Sequence, residues 1–178
     1  MAKKFSIEDT LLLPGSNIKI PRLGLGVYMT SGTKCTNAIV AAIKSGYRHI
    51  DSAQYYNNEA ETGEGVRKSG IPREQIFVTT KLMQPAGDVE RTYKELKQSV
   101  DRTGLGYIDL FLIHTPGSGT KGRKIMWAAL ERLNKEGKAK AIGVSNYGVH
   151  HLKEMKDYAT VYPPALNQIE VCWINVVV

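Results

Sequence analysis

The chain has little cysteine: Cys35 and Cys172 are the only two among 178 residues. Two thiols without a repeated spacing supply neither a disulfide framework nor a thiolate metal site, and they point to a reducing compartment. The cytoplasm is therefore the expected location. Long apolar runs are also missing. No stretch approaches the ~18 residues of a bilayer-spanning helix, and the opening Met1-Ala-Lys-Lys-Phe-Ser lacks the apolar segment of a secretory signal. No membrane partner is expected. Clustered charge is the third absence. The net charge is +7, but the basic residues are scattered and not interleaved with aromatics, so a nucleic-acid partner is not expected. A basic balance also suits a pocket that draws in a phosphorylated cofactor. The histidines His49, His114, His150 and His151 show no zinc-type spacing. Low-complexity stretches and linkers are absent too, which leaves one domain as the expectation.

What the chain does have is a repeating rhythm. Candidate strands begin near Leu23, His49, Ile76, Ile108, Ala139 and Ala165, at intervals of 26, 27, 32, 31 and 26 residues. A strand-helix unit takes roughly 30 residues. Between the strands lie helical patterns with readable ends. After Asp88, a suitable N-cap, Val89, Tyr93, Leu96 and Val100 share a face. Asn58 and Glu61 form the pattern of a capping box opening a helix that ends near Gly70. Met126, Leu130 and Leu133 belong to a helix stopping at Gly137, and another stops at Gly46. Ile108–Ile113 is interrupted only by Asp109, and Ala139–Val144 only by Lys140, as fits strands covered on both faces. Ahead of these, Thr10 to Ile20 reads as a hairpin turning at Pro14-Gly15.

Asp51, Tyr56, Lys81 and His114 stand where three of these apolar runs end. In parallel α/β folds that edge is where ligands bind. Two architectures suit the rhythm. A doubly wound sheet would carry a glycine-rich phosphate loop after its first strand, but Gly24-Leu25-Gly26 is followed by Val27, Tyr28 and Met29, without the third glycine. A (β/α)₈ TIM barrel draws ligands from many strand ends, and the chain offers Ser145 and Asn146 after the fifth strand and Gln168 on the sixth. The expected fold is therefore α/β, a (β/α)₈ barrel of which about six units are present, with the hairpin as an N-terminal plug.

Together these segments resemble the aldo-keto reductases. The resemblance rests on Gly46-Tyr-Arg-His-Ile-Asp-Ser-Ala-Gln-Tyr-Tyr-Asn-Asn-Glu59, Phe77-Val-Thr-Thr-Lys81-Leu, Tyr107-Ile-Asp-Leu-Phe-Leu-Ile-His114-Thr-Pro, Ile142-Gly-Val-Ser-Asn146 and Leu166-Asn-Gln-Ile-Glu170. It implies reduction of a small-molecule aldehyde or ketone with NADPH as cofactor, a tyrosine proton donor, and Asp51, Lys81 and His114 as its catalytic companions. It also implies that Asp51, Ser145, Asn146 and Gln168 hold the cofactor, while Tyr28 and His114 face the substrate. No metal is implied. Periodicity leaves Tyr55 and Tyr56 open as the donor; the family pattern, a tyrosine five residues after the aspartate, points to Tyr56, with Tyr55 packing or lining the pocket.

The chemistry suits these residue types. A phenol, with its reference pKa near 10, gives up a proton reluctantly at neutral pH. A nearby cation favours phenolate, so Lys81 is expected to lower the pKa of Tyr56, with Asp51 orienting the lysine. His114 can donate to the substrate oxygen. Singly, each group has a structural explanation; their shared rim favours a site. The loop Thr115–Gly122 carries no chemistry that would specify which carbonyl is reduced.

The resemblance stops at Cys172, where family members continue with a histidine-proline turn, a helix and two more strands, while this chain reads Cys172-Trp-Ile-Asn-Val-Val-Val178. The expected organisation is a truncated domain over 1–171 and a divergent apolar tail over 172–178. Six strands cannot close an eight-stranded geometry, so weak or absent activity is expected. The alternative is a non-catalytic barrel fragment that binds partners.

Overall fold

The structure, a computed structural model, describes residues 6–170. The expected break at Cys172 and the tail over 172–178 lie outside the described residues. Two short strands, β1 (Thr10–Leu12) and β2 (Lys19–Pro21), pair antiparallel as the anticipated hairpin. Six parallel strands follow: β3 (Leu25–Gly26), β4 (His49–Asp51), β5 (Phe77–Leu82), β6 (Ile108–Ile113), β7 (Ala139–Ser145) and β8 (Asn167–Gln168). Five helices connect or follow them: α1 (Gly32–Lys44), α2 (Glu59–Lys68), α3 (Val89–Thr103), α4 (Gly119–Lys135) and α5 (Val149–Met155).

The six parallel strands lie side by side in strict chain order, β3 to β8. A doubly wound sheet reverses its order at a switch point, and this one never does. It also curls. β4 and β8 are four strands apart in the sheet, which at ~4.8 Å per strand would separate them by about 19 Å if the sheet were flat. Yet Gln168 Nε2 on β8 donates to Asp51 Oδ2 on β4 over 2.8 Å. The fold is accordingly an incomplete (β/α)₈ barrel, a half-barrel of six strand positions.

Alternation along the strands sorts the core into two layers. Ile50, Val78, Phe111, Ile113, Ile142 and Val144 pack outward with Ile39, Leu96, Trp127 and Leu130 of the helices. Phe77, Leu110, Leu112 and Ala141 point inward and meet Leu13, Ile18 and Ile20 of the hairpin, which plugs the N-terminal end of the half-barrel. All residues of β5 and β6 are buried, as their apolar runs anticipate. The polar interruptions of two adjacent runs answer each other: Lys140 Nζ of β7 lies 3.5 Å from Asp109 of β6. Asp109 also accepts from Arg73 at 2.7 Å and from the Val78 amide at 3.0 Å.

Helix ends follow the expected chemistry with two exceptions. Asp88 caps α3 by accepting from the Arg91 amide, and Gly46, Gly70 and Gly137 all take left-handed φ beyond helix ends. Val89, expected on the buried face of α3, is instead exposed at the first position of the helix, while Tyr93, Leu96 and Val100 are buried. The Asn58–Glu61 capping box does not form: Asn58 precedes α2, but its side chain makes no cap hydrogen bond and turns toward other loops.

Close packing of α2 on the end of α3 leaves no room for a side chain at Gly63, where a Cβ would sit 1.7 Å from the Thr103 carbonyl oxygen. Gly63→Ala should therefore cost about 1–3 kcal/mol of stability, as overpacked sites do, seen as a lower urea midpoint. Gly26→Ala, with open space around its Cβ, should stay within about 0.5 kcal/mol of the parent.

Candidate active site

The C-terminal ends of the parallel strands surround a cavity of about 460 Å³ lined by Tyr28, Tyr55, Tyr56, Met83, His114, Ser145, Asn146, Gln168, Ile169 and Glu170. Six of the eight residues singled out in the sequence thus face one space, and the other two, Asp51 and Lys81, lie at its floor. β4 ends on Asp51, β5 carries Lys81 one residue before its end, and His114 follows β6 directly. Parallel pairing sets the heights: Asp51 is level with Thr79, so Lys81 stands one inward-facing position above and reaches back to it.

Lys81 is 1% exposed. Its ammonium donates to Asp51 Oδ1 and to the Ser52 carbonyl oxygen at 3.0 Å. Gln168 holds the other Asp51 oxygen. A buried ion pair adds little to stability beyond what an apolar pair of the same volume provides, because desolvation offsets the attraction. Its place under the cavity therefore asks for an explanation in chemistry.

Tyr56 ends a one-turn 3₁₀ helix, Gln54–Tyr56, that leaves β4 and closes with Asn57 at a left-handed φ of 53°. An asparagine tolerates that conformation better than most residues. The Tyr56 ring packs 4.8 Å from the Tyr28 ring and edge-on to His114 at 5.7 Å, with the Lys81 ammonium 5.3 Å from its centroid. Tyr55 also lines the cavity and is 60% exposed. Of the two candidates, Tyr56 is the one placed against both Lys81 and His114.

The expected effect of Lys81 on Tyr56 is not found. Burial, then the negative charges of Asp51 and Glu170, push the phenol up to about 12. The physical reason is that the lysine charge is already engaged by Asp51, so the phenol senses the pair and its own desolvation. His114 moves the other way, held down to about 4 chiefly by burial and by Lys81. Its Nδ1 is buried without a partner. At neutral pH the site thus presents a protonated phenol and a neutral imidazole.

The opposite wall is built from β7 and β8. Asn146, at a left-handed φ of 59°, donates to the His114 carbonyl at 3.3 Å and to Ser145 Oγ at 3.1 Å, and accepts from the Glu170 amide at 3.0 Å. Its own amide donates to the Gln168 carbonyl at 2.8 Å. Asn146 therefore holds three strand ends together. Ser145 keeps its hydroxyl hydrogen to give, and Gln168, with Nε2 committed to Asp51, offers its oxygen. A donor beside an acceptor matches a primary carboxamide, so these residues fit the nicotinamide end of a dinucleotide.

Two residues that tie the site together were not among its sequence candidates. Glu59, buried at the start of α2, accepts from Thr80 at 2.6 Å, from Ser99, and from Arg102 at 2.7 and 2.9 Å, tying the segment after Tyr56 to the residue before Lys81. Asn58 binds three further backbone and hydroxyl groups. In the sequence Asn58 reads as a helix cap and Glu59 closes the stretch that carries the resemblance, and neither signal names these partners. Among the described residues no group of histidine, cysteine, aspartate or glutamate could hold a metal ion, and no helix is long and apolar enough to cross a membrane.

The chain is similar to known proteins in sequence and in fold. A glyoxal reductase of Bacillus subtilis is 43% identical over 166 residues, covering 93% of this chain and 59% of that protein. The crystal structure of an aldo/keto reductase from Brucella melitensis superposes with a TM-score of 0.87 at 38% identity, over 95% of this chain and 64% of that one. That of a Bombyx mori aldo-keto reductase in complex with NADP gives 0.84 at 29% identity, over 94% and 59%. The chain thus spans little more than half the length of the curated relatives it matches. The model of the aldo/keto reductase family matches residues 22–177, most of the chain, and the chain belongs to that family.

Proposed function

We propose that this site serves the reduction of an aldehyde or ketone to an alcohol, with NADPH as cofactor and Tyr56 as proton donor. The observation that carries the reading is the Tyr56 ring set between His114 and the buried Lys81–Asp51 pair at the edge of one cavity. Glyoxal reductase, among the similar proteins, is named for the reduction of a carbonyl compound, and the Bombyx mori structure is an NADP complex.

NADPH, when bound, would supply a hydride to the carbonyl carbon. Ser145 and Gln168 would hold its carboxamide, Asn146 would keep both in register, and Asp51 would complete the floor. The protein's own part concerns the oxygen. As negative charge develops there, Tyr56 donates its hydroxyl hydrogen and becomes phenolate while the oxygen becomes the alcohol hydroxyl. A phenol near 12 is still a far stronger acid than an alcohol, so this transfer runs downhill from an alkoxide. The Lys81 charge then has a phenolate to stabilise, a charge absent from the resting site. His114, neutral, donates its one N–H to the same oxygen and fixes its direction.

A second reading has its own observation. Among the described residues β3 and β8 border the parallel sheet on one side only, and unpaired strand edges template association. On that reading the chain binds a partner without turning over. A cooperative, monomeric unfolding transition together with saturable NADPH binding would exclude it.

NADPH oxidation with a panel of aldehydes tests the main reading. Tyr56→Phe, which removes only the hydroxyl, should cost about 10²–10⁴-fold in kcat, the usual worth of a general acid; equal rates for parent and variant would remove Tyr56 from the mechanism. The pH profile gives an independent check. With His114 neutral above about 4 and Tyr56 protonated below about 12, carbonyl reduction should be flat from about pH 5 to 10. Alcohol oxidation needs the phenolate and should rise with pH over the same range. A reduction rate falling with a midpoint near 8 would contradict the assignment of the acid.

A further inference from the structure

We propose that Asn58 is a positioning residue that holds the loop carrying Tyr28 against the turn carrying Tyr56, and so sets the opening between their rings. Asn58 is fully buried, 0% exposed. Its amide nitrogen donates to the Val27 carbonyl at 2.8 Å and to the Thr30 carbonyl at 2.9 Å, the two residues that bracket Tyr28 and Met29. Its oxygen accepts from Ser52 Oγ at 2.7 Å. Ser52 in turn gives its carbonyl to Lys81. One side chain thus joins the substrate-facing loop, the strand end beneath the lysine, and the turn that ends two residues earlier at Tyr56.

Asn58 stands at the position of a helix N-cap, where an asparagine oxygen ordinarily accepts from the first turn. Here the cap bond is absent. Both N–H groups and the oxygen are spent on three other segments. The loop it holds has little packing of its own: Tyr28 and Met29 are exposed, and Met29 sits at a left-handed φ of 59°. Without the two amide bonds, that loop keeps the buried Val27 side chain, its local Thr30–Val27 contacts and the Val27 amide's bond to Asp51, while Tyr28 and Met29 lose the ties on either side of them. The ring spacing of 4.8 Å between Tyr28 and Tyr56 would then widen, and water would reach the imidazole that Tyr56 covers.

The catalytic meaning of this inference rests on the reading of Tyr56 as proton donor; the coupling of loop to turn does not. The test therefore uses proton NMR titration of the histidine rings in the protein without ligands, with the His114 signal identified by its loss in His114→Gln. Asn58→Ala should move the His114 midpoint from about 4 upward toward the ordinary histidine value near 6.5. His49, buried lower in the barrel against Thr79, should titrate as before and so report an intact fold. A folded Asn58→Ala protein with a lower urea midpoint but an unchanged His114 titration would overturn the proposal, leaving Asn58 merely structural. Should Asn58→Ala not fold, Asn58→Ser decides by the same criterion: serine suits a helix N-cap but lacks the amide donors to Val27 and Thr30, so a raised His114 midpoint supports the proposal and an unchanged one overturns it. Full activity in Tyr56→Phe would sink the reading of the donor while leaving this coupling standing.

Discussion

The Asp51 carboxylate is the point on which the site depends. One oxygen takes the Lys81 ammonium and the other takes the Gln168 amide, so strands β4, β5 and β8 meet at a single side chain. A flat sheet could not bring the first and last of these together. The carboxylate therefore reports the curl of the sheet, and the curl places the β7–β8 wall opposite Tyr56. Removing the charge from Asp51 would leave an ammonium buried without its partner, which costs far more than a surface ion pair.

The electrostatics at this point differ from a simple picture in which a lysine acidifies a neighbouring phenol. At Tyr56 desolvation dominates and the negative charge of Asp51 adds to it, raising the phenol to about 12. The same burial lowers His114 to about 4. Both shifts keep the resting site uncharged at its reacting surface: phenol and imidazole each hold one hydrogen to donate. In the proposed reaction the cation acts only once a negative charge has formed nearby. That is stabilisation directed at a developing charge by groups already in place.

Much of this was readable beforehand, for identifiable reasons. Strand ends were legible because buried parallel strands are apolar throughout, so Asp51, Lys81 and His114 stand out where the runs stop. Asp109 and Lys140, which looked like blemishes in two adjacent runs, proved to face each other. Asn58 was misread because an asparagine followed by a glutamate three residues later is equally a capping pattern. Which partner an amide takes depends on what the fold brings within 3 Å, and its real partners are Val27, Thr30 and Ser52. Val89 fell outside the buried face because periodicity marks a face without marking where along the helix burial begins.

Local patterning, then, suffices for the succession of strands and helices, the hairpin and the catalytic residue types, since each follows from side chains within one or two turns of each other. The packing of Tyr56 against Lys81 and His114, the sharing of Asp51 between Lys81 and Gln168, and the direction of the Tyr56 shift required three dimensions. Gln168 lies 117 residues from Asp51 in the chain, and burial is a property of everything folded around a group. Proton affinity depends on that surrounding solvent and charge, which no neighbouring residue in the chain encodes.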